Sequence, residues 1–409
     1  MMIPLRLGPC KPKRISAILG PLYAHSRSAA RLTGHSKMSN YRSLSSDLGD
    51  GRNYSHLKSE TKKRMNGLVY TAANTVEIQD RPIPQIECPT DAVVKMMHSS
   101  ICGTDLHILK GHVPTVDHGR ILGHEGVGTI VSLGSNVDGF FIGDIVLISC
   151  ITACGVCPAC TKGLRSHCGS GGWILGNVID GTQAEYVRIP QAAASLYKIP
   201  GNIDSAACVA LSDAFPTGLE CGAMNSQAQP GNSVAIVGAG PVGLSAMLTA
   251  KLYSPATLVV IDVDESRLDH ARKLGADIVI NPQASDAMET LDSINEGQGF
   301  DSVIEAVGSS ESFEMCQKLV APGGSIANIG VHGQKVDLYL NELWDHNISI
   351  KTRLVDTTTI PTLLRLCRTG RLNPSAIFTH HYPFSEISTA YEKFGNAKQE
   401  KTLKVSIKF

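Results

Sequence analysis

Between residues 65 and 148 the apolar positions come in short runs, the pattern of half-buried β-strands. Residues 67–70, 75–78, 92–97, 128–131 and 144–148 are the predicted strands, separated by turns such as Arg81-Pro82-Ile83-Pro84 and by glycines at 123, 126, 128, 134, 139 and 143. Turn residues at this density end each run after a few positions. Together they predict a partly closed β-barrel, a rigid frame for loop side chains. At Ser233 the rhythm changes. Residues 234–237 are wholly apolar, as in a strand buried on both faces, and a helical run follows at 244–252. Strands at 257–261, 278–280, 302–307 and 325–330 then alternate with helices at 265–274, 285–295 and 310–319. Such alternation predicts a doubly wound parallel sheet. After Arg353 one helix, 360–369, and short strands ending at 405–407 suggest that the chain returns to the barrel. The expected class is therefore α/β, with a barrel domain from 65–218 and 354–409 and an inserted domain at 219–353.

The chain has 409 residues, 43% hydrophobic and 18% charged, enough for two or three cores in a globular protein. Its formal charge is zero, but unevenly spread: residues 1–64 hold 13 Lys/Arg against 3 Asp/Glu, leaving 24 against 34 beyond them. An acidic body argues against a nucleic-acid partner. The first 46 residues contain no Asp or Glu and include Arg6, Lys11, Lys13, Arg14, Arg27, Arg31, Lys37 and Arg42. That composition is expected of a mitochondrial transit peptide. Pro4, Pro9, Pro12 and Pro21 would interrupt an amphipathic helix there, so a cytoplasmic protein with a basic, disordered leader ahead of Met65 is the alternative. The uncharged stretch 233–250 is broken by glycines and a proline, and no membrane span is expected.

Four of the twelve cysteines, Cys154, Cys157, Cys160 and Cys168, lie in one short stretch. Clustered thiols point to metal rather than to disulfides. Four thiolates leave no open position, so a structural zinc ion is expected, with an iron–sulfur ligand set as the alternative that shares the spacing. A second cluster spans residues 101–125, where Cys102-Gly103-Thr104-Asp105-Leu106-His107 precedes Gly123-His124-Glu125-Gly126. Taken singly, a cysteine or histidine is more often a packed core residue. A thiolate and an imidazole with a position left open suit a catalytic zinc ion. Asp213, alone in the apolar stretch 210–218, is a further ligand or an N-cap. Gly238, Gly240 and Gly243, with Val242 between them, form Gly-x-Gly-x-x-Gly between a strand and a helix, which suits a pyrophosphate. Asp262, at the end of the next strand, is placed to bind a ribose 2′-hydroxyl and to repel a 2′-phosphate, favouring NAD over NADP.

Over Met65–Phe409 these motifs resemble the medium-chain zinc-dependent alcohol dehydrogenases. The resemblance implies a GroES-like catalytic domain and a Rossmann domain, two zinc ions per chain, NAD, and a homodimer or homotetramer. It assigns Cys102 and His124 to the catalytic zinc, with Glu125 beside it as a transient ligand. Thr104 and His107 become a proton relay, the four clustered cysteines a structural zinc lobe, and Asp262 and Arg267 the holders of the adenosine ribose. Many members carry Cys where this chain has Asp213. Members similar to bacterial secondary-alcohol dehydrogenases share the Asp but use NADP, which Asp262 disfavours. The expected activity is interconversion of a primary or secondary alcohol and its aldehyde or ketone. A polyol or amino-alcohol substrate is the alternative, and a non-catalytic zinc-binding protein the rival.

Overall fold

Strand Ala92–Ile101 organises the first half of the structure, a computed structural model that describes residues 63–409. It pairs antiparallel with Gly126–Leu133, Tyr186–Ile189 and Lys404–Lys408. Ile145–Ile148, Leu196–Lys198 and Phe378–Pro383 complete a seven-stranded sheet. A second, three-stranded sheet joins Thr75–Pro82, Arg64–Ala72 and Arg120–Ile121. Arg64, counted with the leader on sequence grounds, thus already belongs to a strand. The transit-peptide expectation otherwise concerns residues 1–62 and lies outside the described residues.

Register fixes what stands next to what. Ser99 faces Gly126 and Ile101 faces Val405. Three segments distant in sequence therefore end side by side, with Cys102 just past one strand, Glu125 just before the second and Lys404 at the start of the third. Lys404–Lys408 also shows that the C-terminal segment returns to the barrel sheet.

The parallel sheet has six strands in the order Ile278–Ile280, Thr257–Ile261, Ser233–Val237, Phe300–Glu305, Val320–Asn328 and Ser349–Thr352. The central strand Ser233–Val237 is buried at every position. The chain leaves it towards one edge and later returns to pair on its other side, so a crevice opens at the strand ends, where α/β sheets bind ligands. Of the boundaries that differ from the sequence expectation, two do so for local reasons. The helix expected at 244–252 is Pro241–Ala250, because proline is preorganised for the first helical turn. The strand expected at 302–307 is Phe300–Glu305, since the Glu305 carboxylate accepts the N–H groups of Val307 (2.9 Å) and Gly308 (2.8 Å) and turns the chain.

Candidate active site and metal centres

Cys102 stands at the N-terminus of the short helix Gly103–Leu109. Its N–H donates to Asp105 Oδ2 (2.9 Å), so the acidic residue three positions on holds the cysteine at the helix start. His124 and Asp213 come from other segments and meet it. Asp213 Oδ2 lies 3.7 Å from Cys102 Sγ and 3.5 Å from His124 Nε2. An ion bound at zinc distances would spread such atoms about 3.3–3.8 Å apart. The three groups therefore fit one tetrahedral ion with a fourth position open. Asp213 occupies the N-cap position of Ala214–Pro216, yet its side chain makes no capping bond. That removes the N-cap as the reason for its burial.

A further observation supports the metal. Asp105 is fully buried, and its Oδ1 has no hydrogen-bond partner, although it lies 3.8 Å from His124 Nδ1. With Nε2 committed to a metal, Nδ1–H would give that oxygen its donor. Glu125 is arranged otherwise. One oxygen of Glu125 also falls within 4.8 Å of the Cys102 and His124 ligand atoms. Its carboxylate, however, accepts from Lys404 Nζ at 3.0 and 2.7 Å and from Ser100 Oγ at 2.5 Å. Both Glu125 and Lys404 are buried, and separating such a pair leaves an uncompensated charge. Thr104 Oγ1 is 3.7 Å from Cys102 Sγ. His107, one turn further along the helix, is turned to solvent with Nδ1 3.3 Å from His112 Nδ1.

The four sulfurs of Cys154, Cys157, Cys160 and Cys168 lie within 4.8 Å of one another. Cys154 and Cys160 are 3.9 Å apart, Cys157 and Cys168 4.0 Å. A bridged iron cluster would insert several atoms between its thiolates and spread them, so this spacing suits one ion. Backbone N–H groups of Cys157 and Cys154 point at the sulfurs of Cys154 and Cys168, both at 3.3 Å. Amides aimed at sulfur favour the thiolate. Backbone amides hold Cys157 down to about 6, whereas burial pushes Cys160 up to about 12.

The third element is a cleft of about 550 Å³ lined by Gly238, Gly240, Asp262, Arg267, Val307 and Met315, among others. Gly238 has φ +107°, and a side chain there would strike Val307. A side chain on Gly243 would overlap the Gly238 carbonyl. Gly240 instead faces open space at the start of the helix, with only Arg267 Nη1 within 4 Å of a built Cβ. Two glycines thus permit the turn and the third leaves room for a phosphate. Val242 lies in the first turn of that helix. Asp262 Oδ2 accepts from Ala239 N (2.6 Å), and Oδ1 accepts from Asp264 N (2.9 Å). Arg267 Nη1 lies 3.9 Å from Asp262 Oδ2.

Residues 88–201 match the alcohol dehydrogenase GroES-like domain, and residues 241–369 match the zinc-binding dehydrogenase family. An alcohol dehydrogenase of Cupriavidus necator is 35% identical over 369 residues, covering 84% of this chain and 98% of that protein. This chain belongs to the medium-chain zinc-dependent alcohol dehydrogenase family. The solved zinc-dependent alcohol dehydrogenase 2 from Streptococcus pneumonia aligns with TM-score 0.80 and 43% identity, over 84% of this chain and 98% of that one. A sorbitol dehydrogenase of Bacillus subtilis is 30% identical, over 84% of this chain and 97% of that protein. The protein is therefore an alcohol/carbonyl oxidoreductase of the zinc- and nicotinamide-using class.

Burial alone would lower the His124 pKa. Hydrogen bonds to Asp213 and Cys102 overcome it and raise the imidazole well above its usual 6.5. Burial likewise opposes ionisation of Asp213, but the His124 contact holds it down to about 2. In the metal-free enzyme this ion pair stabilises the fold most fully between the ordinary carboxylate value and pH 6.5, and the stabilisation is lost as pH rises through the raised His124 value or falls to about 2, where Asp213 is protonated. The proton and the metal compete for one nitrogen. Zinc affinity should therefore fall as pH drops below the raised His124 value, with at least about one proton released per ion bound. Titration calorimetry in buffers of different ionisation enthalpy measures both, and an affinity that rises on acidification would refute the account.

Four residues near the site were not singled out from the sequence. Asp105 sat in the quoted motif and shows a Cys-x-x-Asp capping spacing, a signal available but unused. Lys404, Thr217 and Cys150 had none. Thr217 Oγ1 donates to Asp213 Oδ1 (2.8 Å), and Cys150 Sγ lies 3.5 Å from the same oxygen.

Proposed function

We propose that this enzyme interconverts a primary or secondary alcohol and its aldehyde or ketone with NAD, holding two zinc ions per chain. The observation that carries this reading is the convergence of Cys102, His124 and Asp213 from three segments onto one point. When bound there, zinc supplies a Lewis acid for the substrate oxygen, and the nicotinamide supplies the hydride acceptor. The chain's own groups do the rest. Cys102, His124 and Asp213 hold the ion, and Asp105 fixes the His124 ring. Thr104 accepts the hydroxyl proton as it gives up its own, and His107, at the surface, releases the relayed proton to solvent. Gly240 lets the dinucleotide approach the helix Pro241–Ala250, whose N-terminus favours phosphate. The Asp262 carboxylate at the cleft edge favours a free ribose hydroxyl over a 2′-phosphate. Four cysteines hold the second, closed ion.

Asp213→Asn is expected to leave about one zinc per chain and to lower turnover about a hundredfold or more, as loss of a ligand should. Metal analysis and an alcohol panel, polyols included, run with NAD and with NADP would test the reading. Full activity with two zinc ions retained would make Asp213 a structural carboxylate only. A homodimer or homotetramer is the expected assembly. Exposed Trp344 and Leu340, shortly before the edge strand Ser349–Thr352 of the parallel sheet, support it. Light scattering that returned the 43.6 kDa of a single chain would overturn it.

A further inference from the structure

Residues 353–359 join the edge strand Ser349–Thr352 to the helix Ile360–Arg368. The loop has no helix or strand, yet Val355, Asp356 and Thr357 are buried. Buried loop backbone needs partners, and here they arrive from three directions. Ser166, two residues before Cys168, donates its N–H (2.8 Å) and its hydroxyl (2.7 Å) to Asp356 Oδ1. Arg353 occupies Asp356 Oδ2 through Nε and Nη2, at 3.1 and 2.7 Å. Glu220, buried in the π-helical segment Thr217–Ala223, accepts the N–H groups of Asp356, Thr357 and Thr359 and the hydroxyls of Thr358 and Thr359. Ser149 Oγ meets Thr357 Oγ1 at 2.7 Å. Thr357 itself has φ +58°, a left-handed conformation that a β-branched residue keeps only when its surroundings impose it.

Two of these contacts lead on to a single atom. Thr217 opens the segment that carries Glu220, and its hydroxyl donates to Asp213 Oδ1. Cys150 follows Ser149, packs with Val355 of the loop, and brings Sγ to the same oxygen. Asp213 Oδ1 is therefore tied from both sides, while Oδ2 alone faces Cys102 and His124. We infer that loop 353–359 is a clamp that holds Asp213 as a one-oxygen ligand and couples the four-cysteine lobe to the catalytic metal. Asp356, Glu220 and Thr217 are its positioning residues. An unclamped carboxylate rotates, offers either oxygen or both, and must be re-ordered each time a metal binds. Outer partners of this kind change metal affinity about 10–100-fold in other sites. The inference rests on Asp213 being a ligand.

The test follows metal loss from the full-length zinc enzyme into excess chelator, read with a colorimetric zinc probe. Thr217→Val and Asp356→Ala should each speed the loss of one zinc about tenfold or more. The second zinc should leave at the unaltered rate. The double variant should fall short of the product of the two single effects, because Thr217 and the loop held by Asp356 act on the same oxygen of Asp213. Cobalt-substituted enzyme should show a shifted visible spectrum in the same variants. Where Asp356→Ala does not fold, Ser166→Ala removes one of the two donors to Asp356 Oδ1 and serves in its place. Unchanged release in Thr217→Val and Ser166→Ala would overturn the clamp. So would equal acceleration of both zinc ions with a lowered melting temperature, the signature of general loosening. Asp213→Asn is the control: if it keeps its metal, the ligand assignment fails, whereas loss there without loss in the other variants sinks the clamp alone.

Discussion

Cys102→Ala is expected to lower kcat/KM about a thousandfold or more, because a Lewis acid at a developing alkoxide supplies several kcal/mol, and each ~1.4 kcal/mol is tenfold. Cys102 sits at the junction of strand Ala92–Ile101 and helix Gly103–Leu109, so the fold presents its sulfur with little freedom. Removing it leaves His124 and Asp213, which in the metal-free protein pair with one another and with a proton instead. The catalytic zinc should therefore be lost while the four-cysteine ion stays. Metal content falling by about one per chain, with an unchanged circular-dichroism spectrum, is the expected companion result. A variant that keeps both ions and most of its turnover would show that the reacting oxygen is activated elsewhere.

Asp262→Asn should shift the cofactor preference towards NADP. The carboxylate is at the edge of the cleft, next to Arg267, and its two oxygens already accept from Ala239 N and Asp264 N. Asparagine keeps a carbonyl for one of those donors, so the loop should hold its shape where alanine would leave both unpaired. What changes is charge. A ribose hydroxyl loses a hydrogen bond to an ionised group, which costs about 1.5–3 kcal/mol. A 2′-phosphate loses a repulsive neighbour and gains Arg267 as a partner. The ratio of kcat/KM for NAD over NADP should fall about a hundredfold, from steady-state rates with each cofactor. An unaltered ratio would mean that the adenosine ribose is read by other groups.

How much of this was legible along the chain depends on distance in sequence. The four cysteines declare themselves because they fall within 15 residues, and spacing alone carries the chemistry. The glycine-rich turn is similarly local, since its three glycines fall within six residues at a single strand-to-helix junction. Cys102 and His124 could be singled out by residue type. Asp213, 111 residues from Cys102, could be suspected only as a carboxylate in apolar company. Glu125 shows what residue type leaves out. Its place beside His124 was legible along the chain, but its pairing with Lys404, 279 residues away, was not.

The amino-acid sequence by itself determined the elements and the donor set: barrel strands, parallel sheet, sulfur cluster, phosphate turn. These follow from periodicity and short spacings, which act within a few residues of backbone. Tertiary structure alone decided which donors face one point. The register of Ala92–Ile101 against Gly126–Leu133 and Lys404–Lys408 brings Cys102, Glu125 and Lys404 together. The packing of Thr217–Ala223 against loop 353–359 aims Asp213, since the backbone bonds of that loop are satisfied by Glu220. A strand pattern specifies which face of a strand is buried, but pairing between strands far apart is chosen by the whole core, and the catalytic ligand set inherits that choice.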